Sequence, residues 1–162
     1  MRQPRSLVVE PLTREAFAPF GDVIACDGAD SFPINQGRTQ RFHSLASVDL
    51  LGEGAKAILS IFRGQPLEPL ERHPLGSQAF VPLNNKAFYA VVAAPGDFDE
   101  TAVRAFLVTG TQGINLRAGA WHAPLLPLEA DSDYLVVDRL GPGGNCDEVL
   151  LKQPIVLQPD SH

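Results

Sequence analysis

Cysteine is scarce in this chain, and what there is forms no pattern. Cys26 and Cys146 show neither CxxC spacing nor the density of a disulfide framework. That excludes a small stapled secreted scaffold and makes a reducing cytoplasm the expected compartment. Basic residues are in deficit too: 13 Lys and Arg stand against 19 Asp and Glu, for a net charge of -6. Such a balance gives no electrostatic hold on phosphate backbones, so no nucleic-acid partner is expected. No apolar run approaches the ~20 residues that span a bilayer. The basic start Met1 to Ser6 leads into Leu7-Val8-Val9, which Glu10 and Pro11 cut short, so neither a membrane segment nor a signal peptide is expected. Long stretches free of helix breakers are also missing, because 14 Gly and 14 Pro are spread over 162 residues. There is no internal repeat, low-complexity tract or linker. Residues 1–162 are therefore read as a single domain, large enough to bury a core.

What is present reads as short strands joined by turns. Ser6 to Pro11 makes a first strand. Thr13 caps a short helix with Glu15 in its first turn and Ala16, Phe17 and Phe20 on its apolar face. Gly21 ends that helix, Val23-Ile24 begins a strand, and Asp27 to Gln40, rich in turn residues, is expected to be a long loop. Further strands are expected over Arg41–Leu45, Ala57–Arg63, Ala79–Leu83, Ala87–Ala94, Thr101–Val108, Ile114–Leu116 and Tyr134–Arg139. Gly64-Gln65-Pro66 reads as a turn, and Asn84-Asn85-Lys86 as a hairpin turn pairing the strands on either side. With about eight to ten short strands and one helix near the start, the expected architecture is mainly β, a sandwich or a small barrel.

One stretch concentrates the chemistry: Glu71-Arg72-His73-Pro74-Leu75-Gly76-Ser77-Gln78. Residues two apart on a strand share a face, so Glu71 and His73 can enter one cavity together. Pro74 and Gly76 make a turn that returns Gln78 beside them. A second polar cluster is Gly119-Ala120-Trp121-His122. The rhythm Glu71-x-His73-x4-Gln78, then Gly119-x-x-His122, resembles the two motifs of cupins, with Glu71 and Gln78 at two of the usual ligand positions. The resemblance implies a double-stranded β-helix (a jelly-roll barrel) with His73 and His122 meeting inside it.

The run Glu71 to Phe80 also resembles the signature of the ureidoglycolate lyase family, formerly called ureidoglycolate hydrolase. Companion segments in the expected order are Phe20-Gly21-Asp22-Val23-Ile24, Ile34-Asn35, Arg41-Phe42-His43, Gln112-Gly113-Ile114-Asn115, Val137-Asp138-Arg139 and Asn145-Cys146-Asp147. The resemblance implies a cytoplasmic homodimer that splits ureidoglycolate into glyoxylate and urea in allantoin (purine) catabolism. Two positions depart from the family pattern. Asn115-Leu116-Arg117 stands where the family carries Asn-Tyr-His, and His122-Ala123 stands where it carries a histidine pair.

The substrate this implies carries a hydroxyl, a carboxylate and a urea nitrogen on one carbon. Its cleavage needs a base for the hydroxyl proton, an acid for the departing nitrogen and a positive group for the carboxylate. Histidine suits the proton transfers, which makes His73 and His122 catalytic candidates, with Gln78 positioning the ureido amide. Arginine suits the carboxylate, and Arg63, Arg41 or Arg139 could supply it, while Asn115 could hold the amide without adding charge. Glu71, His73, Gln78 and His122 form an O,N,O,N set for a divalent ion such as nickel or zinc. Gln is a weak ligand, and the expectation leans narrowly towards acid–base chemistry without a metal. Two other classes share the motif: a non-catalytic cupin that binds a small acid, and a metal-dependent cupin isomerase or oxygenase.

Overall fold

Apolar residues two apart are almost fully buried along several short segments, as with Ile114 and Leu116, or Tyr134 and Val136. In the computed structural model, which describes residues 3–63, 69–123 and 125–160, this alternation builds two sheets around one interior. In chain order the elements are β1 (Arg5–Pro11), α1 (Arg14–Phe17), β2 (Gly21–Ile24), β3 (Ser31–Ile34), β4 (Thr39–Phe42), β5 (Lys56–Phe62), β6 (Leu70–Arg72), β7 (Gln78–Pro82) and β8 (Phe88–Ala93). They continue with β9 (Arg104–Val108), β10 (Gly113–Leu116), β11 (Trp121–His122), β12 (Leu126–Pro127), β13 (Tyr134–Leu140), β14 (Asp147–Val149) and β15 (Ile155–Gln158). One sheet runs β14-β6-β11-β8-β9-β1-β15, with β12 also on β8, and the other runs β2-β10-β7-β13-β5. Among the described residues the fold is mainly β, two packed sheets with one short α-helix near the start.

Two apolar clusters hold it together. Phe80, Ile114, Leu116, Tyr134 and Val136 from the smaller sheet meet Phe88, Ala90, Val92, Phe106 and Val108 from the larger one. The helix closes this core: the Thr13 hydroxyl accepts from the Ala16 amide at 3.1 Å, and Phe17 packs edge-on against Phe106. A second cluster, including Val91, Ala93, Ala105 and Trp121, lies on the outer face of the larger sheet under Leu151, Ile155 and Leu157.

Two expectations need correction. Asp27 to Gln40 is no simple loop, because it holds most of a β3–β4 hairpin in the register Ile34↔Thr39. Asn35, Gln36 and Gly37 take positive φ values of 52°, 60° and 80°, which turn the chain tightly enough for pairing. Asn84-Asn85-Lys86 closes no hairpin either: β7 pairs with β10 and β13, whereas β8 pairs with β9, β11 and β12. The turn residues bond across to a different loop instead. Asn84 Nδ2 donates to the Asp131 carbonyl at 2.7 Å and Lys86 Nζ to the Ala130 carbonyl at 2.9 Å. Phe80 and Phe88 thereby enter one core from opposite sheets. The turn expected at Gly64-Gln65-Pro66 lies outside the described residues.

Candidate active site and metal centre

Register is what assembles the site. In the β6–β11 ladder His122 stands directly opposite Glu71, and residues opposite one another on antiparallel strands share a face. His73 follows two residues after Glu71, so alternation adds it to that face. Its backbone carbonyl accepts from the Gly119 amide at 2.8 Å, tying the first motif to the second. Gln78 arrives from β7 in the other sheet and is 5% exposed. The His73 and His122 rings lie 5.3 Å apart.

The donor bookkeeping is informative. His73 Nδ1 lies 2.7 Å from the Asn145 carbonyl and His122 Nδ1 lies 3.2 Å from the Ala120 carbonyl. A carbonyl only accepts, so each Nδ1 carries a hydrogen, and in the neutral ring each Nε2 is left as a lone pair. Both lone pairs point at the same carboxylate oxygen: Glu71 Oε1 is 3.7 Å from His73 Nε2 and 3.6 Å from His122 Nε2. Those separations are too long for good hydrogen bonds. His73 Nε2, His122 Nε2 and Gln78 Oε1 are buried and have no partner at all. The second carboxylate oxygen of Glu71 accepts weakly from the Cys146 thiol at 3.8 Å.

This is a nest of acceptors, and it draws positive charge. The imidazoles of His122 and His73 hold the Glu71 carboxyl far below the usual carboxylate range, despite its burial. Burial pulls His73 down, but the Glu71 carboxylate, the Asn145 carbonyl and the Gln78 amide together raise it. Glu71, His73 and His122 offer ligand atoms that all lie within 4.8 Å of one another. Carbonyls on both Nδ1 atoms are the outer-shell support that orients metal-binding imidazoles.

The other expected residues stay apart from this cluster. Arg63 makes a bidentate pair with Asp133 at 2.6 and 2.7 Å. Arg41 lies on the exposed strand β4 over the Phe32 ring. Arg139 is buried, but its guanidinium donates to the carbonyls of Leu51 and Pro142. Asn115 is buried on the opposite face of β10 from Ile114 and Leu116, and donates to Asp22 and to the Ser47 carbonyl. Asn145 carries no role that the sequence predicts, yet it supports the site. Its carbonyl orients His73, and its side chain accepts from the Leu75 amide at 2.8 Å.

A family model described as Ureidoglycolate lyase matches residues 4–158. The chain belongs to the ureidoglycolate lyase family. It is similar to a protein of Burkholderia cepacia named ureidoglycolate lyase, 55% identical over 153 residues, 90% of this chain and 86% of that one. A protein of the same name from Pseudomonas syringae pv. syringae is 53% identical over 165 residues, 98% of this chain and 97% of its own. Among solved structures, an oxalate decarboxylase from Lactobacillus farciminis matches 59% of this chain and 26% of its own at 14% identity, with a TM-score of 0.40.

The departures from the family pattern do not touch the acceptor nest. Leu116 fills the inter-sheet core. Arg117 donates to the Ala18 carbonyl at the surface. Ala123 packs with Trp121 against the outer cluster, so a second histidine at that position would turn away from His122.

Proposed function

We propose that the chain cleaves ureidoglycolate to glyoxylate and urea at this cluster. In this reading Glu71, His73 and His122 hold a divalent cation, nickel or zinc, with Gln78 as the neutral fourth donor. One observation carries the reading: buried lone pairs of two imidazoles and an amide converge on a carboxylate with no donor between them. When bound, the ion would supply the positive charge that anchors the substrate's carboxylate and polarises its hydroxyl. That charge is needed, since none of Arg63, Arg41 and Arg139 reaches the cluster. A route using His73 and His122 only as acid and base fits less well. Each Nδ1 is held by a carbonyl, and both unpartnered Nε2 atoms are buried and face one Glu71 oxygen at 3.7 and 3.6 Å, an arrangement that a cation completes more directly than a substrate proton does. Gln78 suits the remaining position because it adds an oxygen without adding charge.

Incubation with ureidoglycolate should release glyoxylate and urea in equal amounts, without ammonia. Ammonia in place of urea, or no glyoxylate, would overturn the reading. Two histidines and one carboxylate also serve iron oxygenases. Product release in oxygen-free buffer separates the lyase from that class.

The finer expectation of a homodimer gains support from β5. Among the described residues this edge strand pairs only with β13, and it turns Leu59 and Ile61 outward at 69% and 67% exposure. Apolar side chains on an unpaired strand edge invite a second copy. Ile61→Lys should therefore shift sedimentation from a dimer to a monomer while leaving the helix and sheet signal intact. An unaltered dimer would place the interface elsewhere. Two free, exposed thiols, Cys26 and Cys146, fit a reducing cytoplasm. Among the described residues, no helix is long and apolar enough to cross a membrane.

A further inference from the structure

We infer that Asp138 selects and orients the ureido end of the substrate; this rests on the proposed cleavage of ureidoglycolate. The sequence drew attention to its neighbour Arg139, but strand parity decides between them. Tyr134 and Val136 on β13 are fully buried in the inter-sheet core. Alternation carries Asp138 to that same face and Arg139 to the other. There Asp138 meets the site: Gln78 Nε2 donates to Asp138 Oδ2 at 3.3 Å. Asp138 Oδ1 is buried and has no partner. A carboxylate oxygen withdrawn from water without a donor is costly, and an ionised carboxylate can only accept. What Oδ1 lacks is an N–H or O–H donor, and among the described residues none supplies it.

Gln78 places this vacant acceptor relative to the cation-attracting cluster. A single amide joins the two: its Nε2 donates to Asp138, and its Oε1 is buried without a partner, as the Nε2 atoms of His73 and His122 are. A molecule with a carboxylate at one end and a ureido group at the other is polarised by such a site. Asp138 repels the carboxylate end towards the cation that Glu71, His73 and His122 would hold. The ureido N–H groups complement Oδ1. The susceptible C–N bond then lies between two fixed ends, and an analogue carrying a second carboxylate in place of the ureido group is rejected.

Binding of the two products reads the two ends separately. Asp138→Asn keeps the shape and one acceptor for Gln78, but turns an amide donor towards the substrate's own donors. Calorimetry with urea and with glyoxylate on metal-loaded protein should show urea weakened by about tenfold or more, the scale of a mismatched buried polar contact. Glyoxylate should stay within about threefold and the melting temperature should hold, because the Asp138→Asn change leaves packing intact. Equal loss of both products would mean a merely structural residue and overturn the inference. So would unchanged urea binding, or wild-type protein that takes up no urea. Wild-type protein that bound both products yet released no glyoxylate from ureidoglycolate would instead defeat the proposed reaction. Asp138 would then remain a urea-binding residue.

Discussion

His122→Ala should lose the bound cation and about a thousandfold of the turnover. The ring is 2% exposed, and its Nδ1 hydrogen is held by the Ala120 carbonyl, so Nε2 has one direction to point. Alanine offers no donor, and no neighbour replaces it, since Ala123 faces the outer cluster. A metal acting as a Lewis acid contributes several kcal/mol to a transition state, and each ~1.4 kcal/mol is a factor of ten, so about 4 kcal/mol corresponds to the thousandfold expected. Metal content by elemental analysis should fall together with glyoxylate release, while circular dichroism shows the sheets intact. Wild-type protein dialysed against a strong chelator should lose activity to the same degree and regain it with nickel or zinc; the variant should not. Full turnover after chelation would restore the acid–base reading. His122→Ala would then flatten one limb of the pH–rate profile and leave the other.

Much of this site was legible because a strand and a turn impose parity. Glu71 and His73 two apart, a Pro-Gly turn and a following Gln78 are local facts, and local geometry carried them into one place. The meeting of His122 with the first motif is not local: the resemblance to cupins implies that His73 and His122 meet, while the strand register that sets His122 opposite Glu71 is visible only in the fold. The arginines show where such reading stops. Arg63 looks like a free cation at a strand end until Asp133, 70 residues away, closes on it. Arg139 and Asp138 are one residue apart, yet the phase set by Tyr134 and Val136 sends one to the far face of the sheet, under the Leu51 and Pro142 carbonyls, and the other to Gln78. Counting alternate positions forward from Tyr134 and Val136 leads to Asp138. The β3–β4 hairpin escaped because its turn residues looked like loop composition, and its strands are exposed and carry no buried alternation.

Gly21→Ala should destabilise the chain by about 3 kcal/mol or more, enough to threaten folding in a protein whose whole margin is of order 5–15 kcal/mol. Gly21 begins β2 with φ at +156°, opposite Leu116 in the ladder with β10. A Cβ there would sit 1.8 Å from the Asn115 carbonyl oxygen, 2.8 Å from its carbon and 3.1 Å from the Arg117 amide nitrogen. These are backbone atoms of the paired strand, so no side chain can swing aside. Relief requires β2 to move off β10, and β2 carries Val23 into the core just after Phe17 and Phe20. Each such side chain contributes about 1.5–3 kcal/mol by burial, so even partial withdrawal outweighs a simple contact penalty. For a domain of this size 1 kcal/mol is worth roughly 2–4 °C, which sets the expected fall in melting temperature at about 6–12 °C or beyond. Gly144→Ala is the matched control: nothing lies within 4 Å of its Cβ, and its cost should stay within about 0.5 kcal/mol. The damage should also reach the chemistry, because β10 is the strand that pairs Leu116 with Gln78. Surviving Gly21→Ala protein is thus expected to bind the cation less tightly than Gly144→Ala protein does. Equal melting temperatures for the two variants would show that β2 can leave β10 without cost, and that the edge of this sheet does not hold Gln78 in place.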